Sequence, residues 1–294
     1  MTQKSRSIIS ERFGAASFYW LLKKAVRSFY YLIFAQRTYK FAVRPLLEFN
    51  SLDQLRTFCT SFPIFENCQP IRLDPEKSFG NHLLFIAAHP DDETIGAGGT
   101  MLRAIESRNT VHVIYVTDGG NGGARDYQSN KVKRATEAKI QADKMGYSYE
   151  FLGAPDGDFE VTDVLSQKLN GLIQTFNPTA LFIPWLLEAN AAHRRTNELF
   201  LKALNSHASM TPVYAFQVWS NVPANTFVDI TAQMDKKMEA VARWESQVEL
   251  FDYVHFTRGL NAHASYLQSG KGFVEGFFNL PLKDYLDLLR KYYG

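Results

Sequence analysis

His89-Pro90-Asp91-Asp92-Glu93 puts four ionisable side chains within five residues, directly after the apolar run His82–Ala88 (HLLFIAA). Placing carboxylates side by side next to a buried segment is costly unless a cation or strong hydrogen bonds compensate. A divalent metal would supply that compensation. His89 and Asp92, three residues apart on a tight turn, can face one ion, and a mixed nitrogen and oxygen donor set suits zinc. A neighbouring carboxylate outside the ligand set stands where it can act as a base on a metal-bound water. The plainer alternative is an exposed helix start with Asp91 or Asp92 as its N-cap.

A zinc site of this kind needs a third protein donor. The other histidines are His82, His112, His193, His207, His255 and His263. His82 and His112 open apolar runs and so fall at the wrong end of any strand. His207 sits between a helical and an extended pattern. His255 and His263 belong to a late, irregular region that could reach a cleft. His193 follows the apolar run Ala180–Trp185 (ALFIPW) after a short loop, and its position favours it.

The surrounding pattern says what must position these groups. From His82 onward, short apolar runs alternate with amphipathic segments. Extended segments are expected at 82–88, 112–117, 149–152, 180–185 and 213–218. Helices are expected at 94–108, 131–146, 164–176, 194–203 and, as one long element, 234–249. Alternation of this kind makes an α/β fold: a Rossmann-like, mostly parallel sheet with helices on both faces. Such sheets bind ligands at the carboxyl ends of their strands, where His89 and His193 both fall.

The 294 residues are 46% hydrophobic and 21% charged, a globular composition that excludes a disordered, collagen-like or coiled-coil chain. A net charge of +2 gives no reason to expect a nucleic-acid partner. Two cysteines, Cys59 and Cys68, cannot build a disulfide framework and point to a reducing, cytoplasmic setting. Charge is unevenly spread, with nine Lys/Arg against two Asp/Glu in residues 1–48. Within 18–47, Leu22, Val26, Phe29 and Ile33 recur at helical spacing among basic residues. Two readings fit this helical, basic extension: a peripheral contact with an anionic membrane face, or packing on the body with Lys and Arg stems laid along it. The apolar stretch 28–36 is too short to span a bilayer. Three prolines in 62–78 read as a linker, which divides the chain into an extension at 1–78 and a catalytic domain at 79–294.

The stretch Ala87–Gly99 (AAHPDDETIGAGG) resembles the signature of the PIG-L/LmbE-like family of zinc-dependent N-deacetylases. Weaker matches follow in order: Thr117-Asp118-Gly119, an Arg-x-x-Glu pair at Arg134 and Glu137, Phe151–Gly157 (FLGAPDG), Ser246-Gln247 and Phe273–Phe277 (FVEGF). The resemblance spans about residues 80–280. It implies one Zn2+ per chain held by His89, Asp92 and His193, with Asp91 as general base on a zinc-activated water. It also implies an N-acetylated amino-sugar conjugate as substrate, cut to acetate and a free amine. Asn190 stands where many members carry a histidine that helps polarise the substrate carbonyl. An amide can donate a hydrogen bond but cannot carry a proton. Either Asn190 fills the role as a neutral donor, or His263 or His255 replaces it, or the centre has changed chemistry or rate. Asp118, Arg134 and His263 are the expected substrate contacts, although Arg134 could instead pair with Glu137 one helical turn away. Trp185, Trp219 and Phe159 could stack on a sugar or belong to the core. Competing functions are an amidase for a larger N-acyl amide and a carbohydrate-binding protein with a degenerate centre.

Overall fold

The computed structural model describes residues 70–122, 126–205 and 209–293. The amphipathic stretch 18–47, with the membrane contact expected of it, lies outside the described residues, as do Cys59 and Cys68. Among the described residues no helix is long and apolar enough to cross a membrane.

Among the described residues eight strands form one sheet: β1 (Ile71–Arg72), β2 (His82–Ala87), β3 (Thr110–Thr117), β4 (Ser148–Ala154), β5 (Ala180–Pro184), β6 (Pro212–Phe216), β7 (Thr226–Asp229) and β8 (Val274–Pro281). Their order is β1-β7-β8-β6-β5-β2-β3-β4. All neighbouring pairs are parallel except those of β8, which runs antiparallel to both β6 and β7. The helices are α1 (Pro75–Ser78), α2 (Asp92–Glu106), α3 (Tyr127–Met145), α4 (Asp163–Phe176), α5 (Ala191–Leu204), α6 (Met234–Ala242), α7 (Glu245–Val248), α8 (Tyr253–His263) and α9 (Leu282–Tyr293).

The two-residue period of the strands splits the core. Leu84, Ile86, Ile114 and Val116 face one layer, with Leu169, Phe200 and Leu289 from α4, α5 and α9. Leu83, Phe85, Val113 and Tyr115 face the other, with Met101, Ala138 and Met238 from α2, α3 and α6. From β2 the chain moves outward through β3 to β4, then crosses back to place β5 on the other side of β2. The carboxyl ends of β2 and β5 flank this switch in direction, where a crevice opens in folds of this class.

Several expectations need correction. The segment 62–78 is not all linker, because Ile71 and Arg72 pair with Thr226 and Phe227 and the sheet therefore starts ahead of residue 79. The long helix expected over 234–249 is broken between α6 and α7. Trp244 turns inward there, fully buried, and its indole N–H donates to Thr94 Oγ1 at 3.2 Å. Strands β7 and β8 and helices α8 and α9 were not expected.

Helix α2, which begins inside the acidic cluster, has a kink at Ala97 (φ −144°, ψ 16°). Gly99 N–H and Thr100 N–H donate to the two oxygens of Glu275 at 2.8 and 2.7 Å. Lys237 Nζ donates to the Ile95 carbonyl (2.8 Å), Asn261 Oδ1 (2.7 Å) and Glu275 Oε1 (2.7 Å). Gly99 is required here, since a Cβ would lie 2.7 Å from the Ile230 side chain. Lys237 and Glu275 are both buried, so removing one charge strands the other. Lys237→Met is expected to destabilise the fold by about 3–5 kcal/mol, measured by urea unfolding.

Candidate metal centre and cleft

Strand β2 delivers His89 at its carboxyl end, and α2 starts at Asp92. Asp91 between them adopts φ 136°, a region that a residue with a side chain rarely enters. Three contacts hold it there. Its N–H donates to Glu93 Oε2 at 3.2 Å, its carbonyl accepts from Ile95 N–H at 2.9 Å, and its Oδ2 lies 2.9 Å from Arg134 Nη2. The Asp91 side chain makes no capping bond to the helix, which removes the simple N-cap reading. Asp92 uses Oδ2 to accept from His89 N–H at 2.7 Å, which closes the turn. Helix α5 brings in His193, fully buried.

Three side chains converge as a result. His89 Nδ1 lies 3.3 Å from Asp92 Oδ2, His193 Nε2 lies 3.2 Å from Asp92 Oδ1, and the two imidazole nitrogens are 3.2 Å apart. Tetrahedral ligands at zinc bond lengths of about 2.0–2.1 Å would be separated by roughly 3.3–3.4 Å. The donor set therefore fits a small divalent ion, and His89, Asp92 and His193 could hold one. The outward nitrogens add to the fit. His89 Nε2 lies 3.0 Å from Asp156 Oδ1, and His193 Nδ1 lies 3.8 Å from Glu188 Oε2 without a hydrogen-bond partner. Carboxylates behind ligating imidazoles fix the tautomer that turns a lone pair toward the ion.

The electrostatics ask for positive charge. Burial lowers the pKa of His89, but Asp92 and Asp156 outweigh it and push it up to about 10. Burial would raise Asp92, yet the two imidazoles hold it far below the usual carboxylate range. Asp91 behaves differently. Burial raises it to about 7, with Arg134 pulling it down and Asp92 pushing it further up. Two adjacent carboxylates thus have separated proton affinities, the pattern expected of one ligand and one base.

These groups open onto a cleft of about 510 Å3. Its lining includes the polar Asn121, Asp156 and Asp158 and the largely apolar Ile95, Val218, Trp219, Leu250 and Tyr253. Asn190 lines the cleft and caps α5, its Oδ1 accepting from Ala192 N–H at 2.8 Å. Trp219 is the expected aromatic that reaches the cleft, whereas Trp185 and Phe159 are core.

Other expected contacts lie elsewhere. Arg134 does line the cleft, but it pairs with Asp91 and the Pro90 carbonyl, not with Glu137. Glu137 instead accepts from Ser246 N–H at 2.8 Å and Ser246 Oγ at 2.6 Å, which seats Gln247 at the cleft. Asp118 does not face the cleft. It braces the wall from behind, accepting from Tyr127 Oη (2.6 Å) and Gly120 N–H (3.1 Å), while Tyr127 Oη accepts from Asp156 N–H (2.9 Å). His263 is exposed at the end of α8 and borders a separate groove with Gln217 and Tyr266, so it is not brought to the centre. His255 is exposed on the same helix. Neither lines the cleft, whereas Asn190 does.

Two histidines and one carboxylate thus meet at the switch point of an α/β sheet, a donor set that could hold a divalent metal ion. Residues 84–204 match the family model described as PIG-L: GlcNAc-PI de-N-acetylase. It is 27% identical over 220 residues to diacetylchitobiose deacetylase of Thermococcus kodakarensis, which covers 68% of this chain and 80% of that protein. Among solved structures it resembles N,N'-diacetylchitobiose deacetylase of Pyrococcus horikoshii (TM-score 0.62, 21% identity, 80% of this chain and 94% of that one). It also resembles GalB, the 4-carboxy-2-hydroxymuconate hydratase of Pseudomonas putida (TM-score 0.58, 22% identity, 68% and 95%). At these identities the structural likeness is one of fold, and a fold alone does not choose between a deacetylase and a hydratase.

Proposed function

We propose that this chain is a metal-dependent N-deacetylase that removes the acetyl group from an N-acetylated amino-sugar conjugate. One observation carries the reading: donors from His89, Asp92 and His193 meet at ligand spacing beside the Arg134-paired carboxylate of Asp91 in a cleft. The match of residues 84–204 to the PIG-L family model and the likeness to diacetylchitobiose deacetylase support the reaction class.

His89, Asp92 and His193 would hold the ion, one zinc per chain, with iron also compatible with the donor set. When bound, it supplies Lewis acidity to the acetamide carbonyl and lowers the pKa of water in the site. Asp91 takes the proton of the attacking water and returns it to the departing amine. Arg134 fixes the Asp91 carboxylate and keeps it from rotating out of line. Asn190 has its oxygen committed to the helix cap, so its NH2 group is the donor for the developing oxyanion. Trp219 and Tyr253 offer faces against which a sugar ring can lie. A cytoplasmic location, argued from the two cysteines, goes with this reading.

Full-length protein loaded with zinc is expected to release acetate from N,N'-diacetylchitobiose or a simple N-acetylglucosamine conjugate, followed by enzymatic acetate assay. Release of a longer acid from an N-acyl amide, with no acetate from any sugar, would favour the amidase reading. Zinc-loaded protein that binds sugars and cuts nothing would favour the binding protein.

A further inference from the structure

Glu188 lies between β5 and α5, fully buried. Its carboxylate is the hub of two structures at once. On one side, Oε1 accepts from Val218 N–H (2.6 Å) and Trp219 N–H (3.0 Å), and Oε2 from Trp219 N–H (3.0 Å) and Ser220 N–H (3.1 Å). Three consecutive amides wrap around one anion, which gives the chain after β6 its course and sets Val218 and Trp219 into the cleft wall. Ala189 N–H adds a tie to Ser220 Oγ at 2.9 Å. On the other side, Oε2 stands 3.8 Å from His193 Nδ1, a fully buried nitrogen with no hydrogen-bond partner.

The chemistry of imidazole joins the two sides. If Nε2 of His193 gives its lone pair to a cation, the ring proton must sit on Nδ1. That N–H is then buried and faces Glu188. An unsatisfied buried donor is costly, so the pair has reason to close from 3.8 Å to hydrogen-bond distance. The same oxygen carries the amides of Trp219 and Ser220. A movement of Glu188 toward His193 is a movement of the cleft wall.

We infer that Glu188 is a positioning residue that fixes the His193 tautomer for metal and ties metal loading to the placement of Trp219 in the substrate cleft. This rests on the reading of His193 as a metal ligand. Glu188 touches neither substrate nor ion.

The test uses the full chain, zinc as the probe, and chelator competition as the readout. Glu188→Gln keeps the shape but turns an amide NH2 toward backbone donors. Zinc affinity is expected to fall by roughly 10–100-fold, as for loss of an outer partner of a ligating histidine. Glu188→Asp, which keeps the charge, should recover part of it. Zinc should also change tryptophan emission in the wild type, and the change should vanish in Trp219→Phe and shrink in Glu188→Gln. A structural role alone would lower the melting temperature without moving zinc affinity. Folded Glu188→Gln protein that binds zinc as tightly as wild type would overturn the inference. Should that variant fail to fold, wild-type protein decides the matter: zinc should bring up a slowly exchanging, downfield imidazole N–H resonance from His193 Nδ1. Its absence in zinc-loaded protein would equally overturn the inference. Wild-type protein that takes up no zinc would overturn both this and the reading beneath it.

Discussion

Asp91→Asn is expected to lower turnover by roughly 10²–10⁴-fold while zinc remains bound, because an amide of the same shape cannot take a proton from water. The substitution has a second consequence. Arg134 is buried and pairs with Asp91 at 2.9 Å. Neutralising Asp91 leaves the guanidinium with the Pro90 carbonyl but without its paired carboxylate, and breaking a buried pair typically costs about 3–5 kcal/mol. The variant should therefore melt earlier as well as turn over more slowly. Metal analysis and initial rates, both taken well below the melting temperature, separate the two effects. Near-normal turnover in folded Asp91→Asn protein would remove Asp91 as the base.

His193→Ala tests the centre itself. It deletes one of three donors, and zinc affinity should fall by more than the roughly 10–100-fold typical of losing an outer partner. The clearest readout is linkage. Zinc at about 100 times its Kd stabilises a folded protein by about 2.7 kcal/mol, which raises the melting temperature by several degrees in a chain of this size. Wild-type protein should show that rise and lose its activity to a chelator, with recovery on adding zinc back. His193→Ala protein at the same zinc concentration should show neither. Equal zinc stabilisation of the two proteins would mean that the ion sits elsewhere.

The acidic cluster after β2 and the alternation of apolar and amphipathic segments were readable from the chain, because both are local. Residues 89–93 are adjacent in sequence, and parallel strands read as short apolar runs. His193 could be chosen because strand polarity decides which histidines fall at the productive edge. What escaped was long-range. Arg134 had a partner within one helical turn in Glu137, but the fold supplies Asp91 and gives Glu137 to Ser246. Asp156 stood inside a quoted turn without a role, since nothing local says that it stacks behind His89. Asp118, expected as a substrate contact, is bound instead by Tyr127 and Lys131, partners that come from the next helix and are not signalled locally. Trp244 broke an otherwise good helical pattern because its indole fills the core, and propensity yields to packing. Strand β8 was missed because its antiparallel insertion between β6 and β7 is a property of topology.

The Glu275 brace on α2 has a bearing on biosynthesis. Gly99 N–H and its acceptor are 176 residues apart. By the time translation passes α6, the nascent polypeptide already contains His89, Asp91, Asp92, His193 and Lys237. The elbow beneath them still has exposed amides and an unanswered ammonium. Glu275 satisfies both only once β8 has been made, so the elbow cannot be fully braced before the C-terminal end is complete. A protein stopped by a premature codon before residue 275 would carry every chemical group of the reaction and lack the clasp that aligns them.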